Sequence, residues 1–237
     1  MLMQEVTVTS DAQKHLDIIE WDVANWRKAA IYRDRKITEP FAGGKALEIG
    51  GQNGGLSLYL ALKGCKVVCS DYQEPTPRAR KLMMHYGVSD LVNYANVDVT
   101  DIAHLDNTFN IVAFKSVLGS VGIHKGAKGQ QRAVNKIYRV LKPNGLLLFA
   151  ENLNASAAHT FFRKRFVAWG KAWRYLTVQE MKRLASQFSA FQYETYGYFA
   201  CFGRSERQKQ ALSILDRMAD PLLSEHHKYI IYGYAKK

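Results

Sequence analysis

The 237-residue chain is poor in several things that would have settled its class at once. It has only three cysteines, Cys65, Cys69 and Cys201. So few, and an odd number, exclude a disulfide-stapled scaffold and point to reduced thiols in a reducing compartment. Cys65 and Cys69 lie four apart with no second ligand pair nearby, which argues against a zinc site, and no carboxylate-histidine cluster suggests another metal. No apolar run reaches the roughly 18 residues expected of a membrane-spanning helix. The start, Met1-Leu-Met-Gln-Glu-Val, lacks the basic opening and long apolar stretch of a secretory signal. A cytoplasmic protein is therefore expected. Proline is scarce, at five residues, and no repeat or linker is visible, so one domain over residues 1–237 is expected. Acidic residues are also short, with 21 against 33 Lys and Arg, leaving a net charge of +12. That imbalance favours an anionic partner. The cations are spread along the chain rather than gathered into an arm, which sets nucleic acid behind other anions.

What is present is an alternation of apolar runs and helical patterns, the signature of a mostly parallel α/β sheet. Strands are expected at Ala46–Ile49, Lys66–Ser70, Leu91–Ala95, Phe109–Phe114, Leu146–Ala150, Phe191–Phe199 and Tyr229–Tyr234. Helical spacing runs over Leu56–Lys63, Pro77–His85 and Gly129–Leu141, the last stopped by Lys142-Pro143-Asn144-Gly145. Thr177 and Glu180 form a capping-box pattern ahead of a helix at Val178–Phe188, and Ser205–Asp220 reads as another helix.

The most informative stretch is Lys45-Ala-Leu-Glu-Ile-Gly-Gly-Gln-Asn-Gly-Gly55. It reads as a buried strand, a glycine-rich turn and a helix start, with an acid, Asp71, ending the next strand about 20 residues on. In dinucleotide-binding sites such a turn lets a ligand reach the backbone and the acid grips ribose hydroxyls. Two departures narrow the ligand. Gln52 replaces the middle glycine, and Glu48 sits where a phosphate would be repelled. A cationic or zwitterionic adenosyl ligand tolerates that carboxylate.

These residues resemble the class I S-adenosylmethionine-dependent methyltransferases. Leu47–Gly54 matches the first motif, Ser70-Asp71 the second-strand acid, Asn96-Val97-Asp98-Val99 the adenine-contacting segment, Phe109–Ser116 the fourth strand and Leu141–Phe149 the fifth. The resemblance implies a Rossmann-like sheet of order 3-2-1-4-5-7-6 with an antiparallel last strand and helices on both faces. It also implies S-adenosylmethionine as cofactor and S-adenosylhomocysteine as product. The cofactor-binding residues it implies are Glu48, Gly50, Gly51, Gln52, Gly54, Asp71, Tyr72, Asp98, Val99 and Lys115. A helical cap over residues 1–40, by analogy with bacterial relatives, brings Trp21 or Trp26 over the cofactor; docking of the cap on the sheet accounts for both tryptophans equally well.

Residues 152–176 form an insertion expected to cover the acceptor. Its aromatics and cations, with His159, Arg163 and Trp169 singled out as substrate contacts, are compatible with a small anionic, sugar or lipid-linked acceptor. Nucleic acid, peripheral contact to anionic lipid and, ahead of these, a merely solvated amphipathic cover are the competing readings. Methyl transfer needs alignment and, for a hydroxyl acceptor, a base. His124, after the fourth strand, is the first candidate, with His159 and Glu151 behind it. The fourth strand ends in Lys115-Ser116-Val-Leu-Gly119 and lacks the Asn/Asp-Pro-Pro-Tyr pattern of base-amine methylation. The expected reaction is O-methylation of a small, sugar or lipid-linked acceptor. Ribose or protein methylation, and a non-catalytic cofactor-binding role, are the alternatives.

Overall fold

The computed structural model describes residues 10–36, 41–166 and 172–237. Seven strands, β1 (Lys45–Ile49), β2 (Lys66–Asp71), β3 (Val92–Asn96), β4 (Phe109–Lys115), β5 (Leu141–Asn152), β6 (Ala190–Tyr196) and β7 (Ile230–Lys236), share one sheet in the order β3-β2-β1-β4-β5-β7-β6. Strand β7 runs antiparallel to both neighbours, and the other pairings are parallel. Along β4 and β5 apolar side chains fill both faces, as a doubly covered sheet requires. Ile111, Ala113, Leu146 and Leu148 pack into one core layer, and Val112, Phe114, Leu147 and Phe149 into the other.

Helices α1 (Asp11–Ile19), α2 (Val23–Lys36), α3 (Gly55–Leu62) and α4 (Pro77–His85) contribute to the first layer, and α5 (Leu118–Val140) and α7 (Val178–Leu184) to the second. Helices α6 (Ala157–Phe166) and α8 (Glu206–Ala219) complete the set. The capping box of α7 is present, with Thr177 Oγ1 accepting from Glu180 N at 3.1 Å. That helix ends at Leu184, short of the expected Phe188, in turns closed by the Ser186 and Phe188 amides. Strand β5 begins earlier than expected, because Leu141 already pairs with Phe109 and the Lys142–Gly145 turn bulges out before pairing resumes at Leu146. Helix α5 likewise extends back to Leu118, across a kink at Gly126.

Two departures shape the site. The expected N-terminal helical pattern is broken at Glu20 and Asp22, whose φ values are 70° and 49°. Left-handed backbone is costly for such residues, and the surrounding contacts offset it. The Ile19 and Trp21 carbonyls accept from Lys115 Nζ, and the Glu206 carboxylate caps α2 through the amides of Asp22 and Val23 at 2.9 and 3.1 Å. The second departure is that β6 stops at Tyr196 rather than Phe199. Gly197 turns left-handed, and the fully buried Asp216 of α8 collects the amides of Tyr198, Phe199 and Ala200 at 2.7, 2.6 and 3.1 Å. Asp216→Ala takes the acceptor from three amides, one buried and two half-buried, so urea unfolding should report a loss of roughly 3 kcal/mol. A loss below about 1 kcal/mol would show that the 198–200 turn is held by something else.

Candidate active site

The glycine turn works because of what lies under it. Gly50 has φ +71°, and a Cβ there would stand 2.5 Å from Val117, so only glycine lets the backbone lie open at this point. Beneath, the buried Glu48 carboxylate accepts from the amides of Leu56 and Ser57 at 3.1 and 2.9 Å and from the Ser57 hydroxyl at 2.5 Å. Helix α3 begins after Gly54, which has no side chain to cap it. Glu48 supplies that cap from the neighbouring strand, favourably placed against the positive end of the helix. Burial nevertheless raises its pKa to about 7, against the opposing pull of Ser57.

Above the turn opens a cavity of about 620 Å³ at the carboxyl ends of β1, β2 and β4, the position where open α/β sheets bind ligands. Its polar groups fall into three sets. At the β2 end, the Asp71 carboxylate accepts from Gln52 N at 3.1 Å and Tyr72 N at 2.6 Å, which fixes its direction. Beside it, Asp98 accepts from Thr100 N at 2.8 Å, Thr100 Oγ1 at 2.7 Å and Lys125 Nζ at 2.6 Å. Burial alone would raise the Asp98 pKa, but the bonds from Lys125 and Thr100 hold it below the usual carboxylate value.

At the cap end stand Glu20 and Lys115. Burial lowers the Lys115 pKa to about 7 against the attraction of Glu20 and Asp22, while burial raises that of Glu20 against Lys115. Glu20 Oε1 is buried without a hydrogen-bond partner. The Lys115 ammonium lies 4.0 Å from the Trp21 ring centroid and 5.2 Å from that of Trp26, a cation–π arrangement.

Residues 47–149 match the family model described as a methyltransferase domain. That match covers less than half of the chain and agrees with the resemblance to the class I S-adenosylmethionine-dependent methyltransferases. Over 116 residues it is 28% identical to a glycine/sarcosine/dimethylglycine N-methyltransferase of Actinopolyspora halophila, covering 48% of this chain and 20% of that protein. Over 126 residues it is 26% identical to a demethylmenaquinone methyltransferase of Clavibacter sepedonicus, covering 53% and 46%. The chain thus spans less than half the length of both curated relatives. Haemonchus contortus phosphoethanolamine N-methyltransferase 2, solved in complex with S-adenosyl-L-methionine, shares the fold with a TM-score of 0.63 at 17% identity, over 98% of this chain and 58% of that one.

In this chain nine of the expected residues line the cavity: Glu48, Gly50, Gln52, Asp71, Tyr72, Asp98, Val99, Lys115 and His124. Gly51 and Gly54 lie behind it, Gly51 against the Glu48 carboxylate and Gly54 against Met83 and Ala79. Trp26 does not line it. Its ring is buried in the core, 1% exposed, and stands edge-on to Trp21, which is the tryptophan at the cavity. His159 and Arg163 are likewise placed elsewhere. The buried His159 contacts Ser156 Oγ and donates Nε2–H to the Tyr198 carbonyl, and burial beside Arg163 lowers its pKa to about 4. Arg163 Nη1 donates to the Leu153 carbonyl at 2.6 Å and its guanidinium lies over Tyr175. Trp169 lies outside the described residues. Glu151, the reserve base, is fully buried and absent from the cavity lining, where its carboxylate accepts from Leu118 N and Asn152 N.

Glu20, Lys125 and Trp173 line the cavity without having been singled out as site residues. Glu20 and Lys125 are each one residue from a candidate, Trp21 and His124, and Trp173 lies in the insertion. No spacing rule separates them from their neighbours. Trp173 packs where α5 lacks side chains: a Cβ on Gly119 would stand 1.7 Å from its indole nitrogen.

The raised pKa of Glu48 makes a pH prediction. Its folded value of about 7 exceeds the ordinary 4.5, so between these values the folded chain keeps a proton that the unfolded chain releases. Its stabilising contribution is complete below about pH 4.5 and is lost as pH rises through 7. Denaturant unfolding of the wild type and of Glu48→Gln at pH 5 and pH 8 should show the smaller pH-dependent loss in the variant. Equal losses would assign the dependence to other groups.

Proposed function

We propose that the cavity binds S-adenosylmethionine and that the protein transfers its methyl group to a small-molecule acceptor. The observation that carries this reading is the separation of charge within one cavity. A fixed carboxylate, Asp71, stands at one end, and a half-buried acid and base, Glu20 and Lys115, stand at the other. The donor set fits an adenosyl amino acid. Asp71 has acceptor capacity for two vicinal hydroxyls, and the unpartnered Glu20 oxygen suits an ammonium. Lys115 suits a carboxylate, and the bare Gly50 backbone admits close approach of the chain between them. When bound, the cofactor supplies a methyl group on a sulfonium that needs alignment more than activation.

The chain's own residues then position and enclose. Trp21 and Glu20 close the cap side, and Trp173 forms part of the opposing wall. At the ends of β4 and β5, Asn152 Nδ2 donates to Ser116 Oγ at 2.8 Å, and with Ser120 and His124 these residues give that part of the cavity hydrogen-bonding groups for an acceptor. His124 is exposed on α5 before the Gly126 kink, and we assign it the base that takes the acceptor proton when the acceptor is a hydroxyl. Two similar proteins are named for small acceptors, glycine derivatives and a menaquinone precursor, which supports a small-molecule acceptor for this chain. An anionic acceptor, sugar-borne or lipid-linked, agrees with the net charge of +12.

Calorimetric titration should give micromolar binding of S-adenosylmethionine and none of NAD. Asp71→Ala should weaken that binding by roughly 1.5–3 kcal/mol, the range for hydrogen bonds to a charged group. Unchanged affinity would move the ribose contact elsewhere. With an acceptor identified by screening, His124→Ala should slow turnover while leaving cofactor affinity near that of the wild type. Normal turnover in that variant removes His124 from the base role.

A further inference from the structure

Helices α6 and α8 are built inside out. On α6 the side chains turned into the protein are His159 and Arg163, one helical turn apart, while Phe161, Phe162 and Phe166 are 64%, 42% and 55% exposed. On α8 the buried residue is Asp216, and the exposed positions Ala211, Ile214, Leu215 and Met218 follow the i, i+3, i+4, i+7 pattern of a single apolar stripe. Ile214 is 52% and Met218 71% exposed. An amphipathic helix ordinarily buries such a stripe. Here docking is performed by polar groups, with Asp216 on three backbone amides and Arg163 and His159 on backbone carbonyls.

The two apolar faces are joined. The Phe162 ring lies 5.2 Å from Phe202 and 5.8 Å from Phe166, and the Arg204 guanidinium stands 5.6 Å from the Phe166 ring centroid. A shallow hollow lined by Phe202, Arg204, Ala211 and Leu212 continues onto α8. Exposed cations accompany this face: Lys164, Arg165, Arg204 and Arg207. The only carboxylates on either helix are Asp216, which is buried, and Glu206, which caps α2 and contacts Lys209. A contiguous apolar surface ringed by charge of one sign marks an interaction site.

We propose that this α6–α8 face docks the protein on an anionic lipid surface. Phenylalanine and aliphatic side chains enter the acyl boundary, and the surrounding Lys and Arg residues meet headgroup phosphates. A second copy of the chain is the poorer occupant. A two-fold contact would set the same cations against each other on a chain of net charge +12. Helix α8 also connects this face to the cavity, because Glu206 at its first turn caps α2 directly after Glu20 and Trp21 at the cavity rim. The inference does not depend on the methyl-transfer reading, since lipid partition and cofactor binding are measured separately.

The test is co-sedimentation of the full chain with vesicles of phosphatidylcholine alone and of phosphatidylcholine mixed with phosphatidylglycerol, at low and raised salt. Partition into the anionic vesicles is expected, weakening as salt rises, with little onto the neutral ones. The double variants Phe161→Ser/Met218→Ser and Lys164→Glu/Arg165→Glu should each lower that partition about tenfold or more. Because all four residues are exposed, the unfolding midpoint should stay at the wild-type value. Absence of partition into anionic vesicles overturns the proposal, as does equal partition by the variants. So does a concentration-dependent dimer in analytical sedimentation that Phe161→Ser/Met218→Ser dissolves, which would make the occupant a second copy.

Discussion

A carboxylate buried beneath a glycine turn holds the cavity floor. Glu48 leaves β1 and binds the first amides of α3 together with Ser57, so strand, turn and helix cannot shift independently. The turn is tied on its other side as well: Gly51 N donates to the Ser70 carbonyl and Gln52 N to the Asp71 carboxylate. Burying an acid is expensive unless its oxygens are satisfied, and here three donors meet it. The remaining parts of the cavity, Asp71, Asp98 and the cap, are placed relative to this floor.

Lys115 plays the corresponding part for the roof. At the end of β4 it holds the Ile19 and Trp21 carbonyls at the close of α1 and in the break that follows, and it lies against Trp21 of that break and Trp26 of α2. The cost of burying its charge is visible in its lowered pKa. The cap is held from the far side by a second set of buried polar contacts, in which Tyr229 Oη donates to Asp22 and accepts from Asn25. Two non-glycine residues in left-handed backbone persist there because both sides of the break are fixed.

Much of this was legible in the sequence, for physical reasons that differ by element. The strands followed from apolar runs, because burial on both faces leaves a strong compositional mark, whereas their order came only with the family resemblance. That the glycine turn and Asp71 share one cavity was legible too, since backbone approach and a strand-end acid are local requirements. The choice between Trp21 and Trp26 was not legible. It depends on the chain reversal at Glu20–Asp22, which no turn residue announces. His159 and Arg163 looked like ligands because they sit among aromatics in an insertion. They serve instead as internal hydrogen-bond donors to backbone carbonyls, and only tertiary structure shows which face of α6 points inward. The strand boundary at Tyr196 depends on Asp216, twenty residues downstream in sequence.

The wall opposite the cap has a different character from the floor. Trp173 rests in the space left by the missing side chain of Gly119, and Arg174 rests against Gly122. Gly122 lies past the first turn of α5, where glycine sacrifices stability, so the helix trades local robustness for this close approach. The shape of that wall is therefore set by two hydrogen atoms rather than by any group that does chemistry. A single methyl gained at position 119 would displace an indole and remodel the chamber without touching Glu48, Asp71 or Asp98. Descendants of this sequence can thus change what fits beside the wall while inheriting the floor intact, so the two parts of the cavity vary separately.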